Sequence, residues 1–83
     1  MKIRIMSSQG KLLEGEAKEV ILPGDDGEFS VWDFHEPCLY RLSLGKITVK
    51  MRKKKEEKSF PIKRGLVKVE FSGLTALVEP LST

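Results

Sequence analysis

The 83-residue chain predicts an all-β domain, a small sandwich or flattened barrel. Apolar residues recur at every second position, and turn-forming residues separate these runs at short intervals. Helical spacing is nowhere sustained.

The elements follow in chain order. In "KIRIM", Ile3 and Ile5 point one way and Lys2 and Arg4 the other, as in a strand with one wet face. Ser7 to Gly10, Gly15 and the stretch Pro23 to Gly27 read as turns. In "GKITVKMRK", Ile47, Val49 and Met51 alternate with Lys46, Thr48, Lys50 and Arg52. Gly45 precedes that run, and the charged stretch "KMRKKKEEK" reads as the solvated tip of a hairpin. Pro61 in "EEKSFPIKRG" calls for an edge position or a bulge, because proline cannot donate to a sheet ladder. Gly65 reads as a turn. In "GLVKVEFSG", Val67, Val69 and Phe71 are expected on the core face, opposite Leu66, Lys68 and Glu70. After Ser72-Gly73, Leu74, Ala76 and Val78 share a face. Residues 1–83 are expected to form a single β-sandwich domain.

The totals narrow the function classes. A chain of this size buries only about 60% of the surface that its unfolded form exposes, so the core must be thin. Composition is ordinary, 40% hydrophobic and 33% charged, and the net charge of +3 is mild. A lone cysteine cannot form an internal disulfide. No run approaches the roughly 18 apolar residues of a membrane span, so a membrane link is expected only through a partner.

One segment looks chemical. "SVWDFHEPCLY", residues 30–40, holds the only Trp, His, Cys and Tyr of the chain, with Asp33 and Glu36 among them. A cysteine nucleophile needs a histidine within hydrogen-bond reach and a third group to orient it. Pro37 stands between His35 and Cys38, which makes a helix improbable, and an extended segment would send the two side chains to opposite faces. Zinc needs four ligands, and one Cys with one His is a poor start. The plainer expectation has Cys38 as a small buried hydrophobe, Trp32 and Tyr40 packed on the core, and His35 bonded locally.

A longer stretch, "VILPGDDGEFSVWDFHEPCL", resembles the epsilon subunit of the F-type ATP synthase, the equivalent of mitochondrial delta. Val20, Leu22, Pro23, Gly24, Gly27, Glu28, Phe29, Val31, His35, Pro37 and Leu39 match that family's pattern in order. "SSQGKLLEGEAKEVILPG", "LSLGKITVK" and "IKRGLVKVEFSGLTALVE" extend the likeness over nearly the whole chain. The departures are Ser30 for a glycine, Asp33-Phe34 for Pro-Gly, Glu36 for alanine, Leu44 for proline and Arg64 for a glycine.

The resemblance implies a ten-stranded β-sandwich that does no chemistry and holds no cofactor or metal. It implies a central-stalk part that couples proton translocation to ATP synthesis. One surface would bind the gamma subunit, and the bottom loops would touch the polar loops of the c-ring. Asp25, Asp26, Gly27, Glu28 and His35 would face the c-ring, and Pro23, Gly24 and Pro37 would shape the turns. Gly24 and Gly27 would allow positive φ. The implied location is peripheral, on the cytoplasmic face of the bacterial inner membrane, as part of the synthase. Family members commonly continue into a C-terminal helical hairpin that inhibits ATP hydrolysis. This chain stops at "EPLST", so the expectation is a chain that neither inhibits hydrolysis nor binds ATP.

The rival reading is a nucleic-acid-binding β-barrel, resting on Lys50–Lys55, Lys58, Lys63 and Arg64. Such barrels interleave cations with aromatics on which bases stack. Here Trp32, Phe34 and Tyr40 lie in an acid-rich segment away from the basic run, which counts against it.

Overall fold

A computed structural model describes residues 1–33, 35–53 and 55–81. Seven strands account for most of them: β1 (Lys2–Ser7), β2 (Gly10–Gly24), β3 (Gly27–Trp32), β4 (Cys38–Leu42), β5 (Gly45–Met51), β6 (Glu57–Val69) and β7 (Gly73–Pro80). No described residue is helical. Two positions discussed above, Phe34 and Lys54, lie outside the described residues.

The expected β-sandwich is present. Seven continuous strands stand where ten were expected, in part because β2 and β6 each run through two sets of partners without breaking. The first part of β2 pairs with β1, and its second part pairs with β3 and β5. A register shift between Ala17 and Glu19 bends it from one sheet to the other. β6 pairs with β5 from Glu57 to Ile62, then with β7 and β4. Its register shifts between Ile62 and Arg64, directly after Pro61. The proline therefore marks a bulge, as its missing N–H requires.

Parallel pairing of β1 with β7 and antiparallel pairing of β1 with β2 close the circuit β1–β7–β6–β5–β2 into a flattened barrel. β4 pairs with β6 along its length but with β2 only at Leu42–Gly24. β3 pairs with β2 alone among the described residues. β3 and β4 thus flank the open side of the sandwich, where the Phe29 and Tyr40 rings meet with centroids 4.7 Å apart.

Most residues that the alternation selects point inward, although Thr48, which the same alternation puts on the wet face, is buried as well. Ile3, Ile5, Val20, Leu22, Ile47, Val49, Val67 and Val69 form the core with Ala76 and Val78. Each fully buried aliphatic side chain contributes about 1.5–3 kcal/mol.

Several expectations are corrected. Phe71 lies beyond the end of β6 and is 73% exposed, because the ladder stops at Val69 and the alternation stops with it. Gly15 and Gly65 sit inside strands rather than in turns. At Gly65 a Cβ would come within 2.7 Å of the Leu77 carbonyl oxygen, so glycine there serves close strand packing. Trp32 and Tyr40 do not pack into the core but are 56% and 44% exposed, because both belong to the strands that flank the open side.

Candidate functional site

Asp25 and Asp26 form the turn that joins β2 to β3, between the last ladder pair, Gly24 and Gly27. Gly27 takes φ of +122°, a conformation that strains other residues. Gly24 is needed for a different reason. It has no positive φ, but a Cβ there would lie 2.9 Å from the Gly27 carbonyl oxygen and the Phe29 ring. The turn is bolted to the end of β4. The Asp25 amide donates to the Arg41 carbonyl at 3.1 Å, and the Ser43 amide donates to the Pro23 carbonyl at 2.8 Å. The Ser43 hydroxyl adds a bond to the Gly24 carbonyl at 3.3 Å. Asp25, Asp26 and Glu28 are exposed and enter no ion pair among the described residues. They line a hollow of about 450 Å³ together with Leu39, Tyr40 and Arg41.

His35 is not with these acids. It follows Trp32, at the far end of β3 from the turn, about 17 Å away at the usual strand rise. The grouping of His35 with Asp25, Asp26 and Glu28 is therefore corrected: a strand lies between residues that sequence proximity placed together. Pro37 shares that far end, in the segment before β4.

At this end Asp33 is satisfied internally, while Glu36 is exposed and enters no ion pair among the described residues. The Met1 ammonium donates to Asp33 Oδ1 at 2.7 Å and to the Ala17 carbonyl at 2.9 Å. Arg52 pairs with the other oxygen of Asp33. The bond from the ammonium, first, and the bond from Arg52, second, hold the Asp33 carboxyl below the usual aspartate range.

The structure does bring His35 and Cys38 together, with Nδ1 4.0 Å from Sγ. The expected opposition of their side chains fails because residues 35–37 are not in a strand, so alternation does not apply to them. The contact still lacks what nucleophilic catalysis requires. His35 Nδ1 also lies 2.9 Å from the Glu36 carbonyl oxygen, and because that oxygen only accepts, a hydrogen bond there requires the tautomer with the proton on Nδ1, which competes with any role as a base toward sulfur. Burial pushes the Cys38 thiol up, only partly opposed by a hydrogen bond with Tyr40. Cys38 is half-buried against the core. No metal-ligating cluster occurs among the described residues.

A second surface was not anticipated. Met6, Leu77 and Leu66 stand side by side across β1, β7 and β6, on the side opposite the core. Leu39 and Leu44 extend the apolar area towards β4. Leu44, Leu66 and Leu77 are 70%, 47% and 58% exposed and line a groove of about 920 Å³ that reaches Asp25 at the turn. The signal was in the sequence: Leu66 and Leu77 are leucines at positions where alternation calls for polar residues.

These features define a class: a small β-sandwich with a hydrogen-bonded acidic turn at one end and an apolar outer face. The sequence profile described as "ATP synthase, Delta/Epsilon chain, beta-sandwich domain" matches residues 1–81, and the chain belongs to that family. The ATP synthase epsilon chain of Nitratiruptor sp. is 37% identical over 95% of this chain and 60% of its own length. That of Chlorobium limicola is 35% identical over 98% of this chain and 91% of its own. Against the longer epsilon chain of Herminiimonas arsenicoxydans, 28% identical, this chain spans 56% of the relative. The fold also matches a chain in the Tetrahymena thermophila mitochondrial ATP synthase central stalk and c-ring, with a TM-score of 0.80 at 14% identity, covering 95% of this chain and 63% of that one. A chain of the Euglena gracilis mitochondrial enzyme gives 0.79 at 17%, with 96% and 49% covered.

Proposed function

We propose that this chain is a non-catalytic rotor component of an F-type ATP synthase that links the gamma subunit to the c-ring and so couples proton flow to ATP synthesis. The observation that carries this reading is the contrast on its surface. Asp25, Asp26 and Glu28 form an uncompensated acidic turn held in place by bonds to β4, beside an apolar face that is not needed for the core. The apolar face suits gamma, and the turn suits basic side chains on the polar loops of the c-ring. An exposed pair of this kind is worth about 0.2–1 kcal/mol. A desolvated one costs about 2–5 kcal/mol when one partner is removed. The domain then sits peripherally on the cytoplasmic face of the bacterial inner membrane and meets the membrane only through the complex.

The nucleic-acid reading gains nothing from the structure. Lys50 pairs with Glu19, Arg52 with Asp33 and Lys58 with Glu56, while Lys63 and Arg64 share Glu79. Most of the basic run is thus compensated internally. Filter binding at two salt concentrations checks this, since phosphate-driven affinity falls steeply with salt.

The direct test is reconstitution. Synthase lacking its own epsilon chain, rebuilt in vesicles with this chain, should regain ATP-driven proton pumping. Failure of the chain to associate with gamma would refute the reading.

A further inference from the structure

The apolar face carries two cations that the fold does not compensate. Leu66 of β6 pairs in register with Arg41 of β4, and Lys68 pairs with Leu39. Arg41 and Lys68 are both exposed, and neither joins an ion pair among the described residues. The other cations near the stripe differ. Arg4 is bonded to Glu14, and Arg64 to Glu79. On the β4–β6 half of the face, next to Leu66 and Leu39, Arg41 and Lys68 are thus the cations without an ion pair, and Arg41 stands between the leucines and the hollow that Asp25, Asp26 and Glu28 line. A partner that covers the leucines must also desolvate Arg41, which is unfavourable unless it supplies a negative group.

Resting on the docking reading above, we infer that Arg41, backed by Lys68, is a specificity determinant that selects a segment of gamma with acidic residues flanking its apolar contact. The groove, the register and the two cations without an ion pair all point to one occupant: an amphipathic segment crossing the strands, its apolar side on Met6, Leu77 and Leu66 and a carboxylate at Arg41. A cation on an edge strand such as β4 can instead serve only to block edge-to-edge association. The two roles make different predictions.

The test measures affinity of the full chain for the purified gamma subunit of the same synthase, at two salt concentrations, with folding checked by thermal melts. Arg41→Glu should weaken binding by about thirtyfold or more. Arg41→Met should weaken it by about tenfold and flatten its salt dependence, because the facing carboxylate is left unpaired. Leu77→Asp should abolish binding. If Leu77→Asp abolishes binding while both Arg41 variants bind like wild type, the face docks gamma but the acidic partner is wrong. If Arg41→Met binds as well as wild type and instead self-associates, the edge-blocking role is correct and the inference falls. If all three variants keep wild-type affinity, the docking face itself is misassigned, and the inference falls with it.

Discussion

Two sets of carboxylates at opposite ends of the sandwich, Asp33 and the acids of the β2–β3 turn, are used in opposite ways. At one end, Asp33 receives the Met1 ammonium and Arg52, and its charge is used within the molecule. At the other, Asp25, Asp26 and Glu28 stand on a hydrogen-bonded turn and form no ion pair among the described residues, with Arg41 across the hollow they line. The same chemistry thus serves the fold at one end and is left available at the other. Available charge on a rigid support is what a partner can use, whereas satisfied charge has little left to offer. The segment that looked most like an active site belongs to the satisfied end.

Substitutions can break or sharpen that contrast. The largest effect on stability is expected at Gly24. Gly24→Ala places a Cβ 2.9 Å from backbone and from the Phe29 ring and should cost about 1–3 kcal/mol, read as a lowered unfolding midpoint in urea. It should also displace the acidic turn. Retention of full stability would mean that the turn is not held as tightly as its bonds imply.

Asp33→Asn comes next. The Asp33 carboxyl titrates below its ordinary value when folded, so its contribution is present above about pH 4 and is lost as pH falls from there through the lower folded value. The variant should melt lower than wild type at neutral pH, and the difference should vanish at strongly acid pH. A constant difference across the range would rule out the charge as the cause.

Cys38→Ser should be milder. The thiol is half-buried and takes no part in the proposed function, so stability should fall by about 1 kcal/mol or less and gamma binding should persist. Smallest of all, Asp26→Asn should leave the melting profile within about 0.5 kcal/mol of wild type, because no described group depends on that charge.

Much of this was legible in the sequence because strand alternation is local. Spacing alone places Ile3 and Ile5, Ile47 and Val49, and Val67 and Val69 inward, and all are buried. The failures are non-local. Phe71 followed the alternation on paper, but no neighbouring strand reaches it. His35 was grouped with Glu28 by proximity in the chain, although β3 carries it to the other end. The apolar face was missed because Leu66 and Leu77 look unremarkable until the register between β6 and β7 sets them side by side.

The most direct measurement is proton pumping by synthase rebuilt in vesicles with Glu28→Lys, alongside Asp33→Asn. Glu28→Lys should fold, bind gamma and allow ATP hydrolysis, yet ATP-driven pumping should fall sharply because a cation now faces the c-ring loops. Asp33→Asn should pump like wild type once it is folded. Normal pumping with Glu28→Lys, or loss of pumping confined to Asp33→Asn, would contradict the assignment of the acidic turn as the coupling surface.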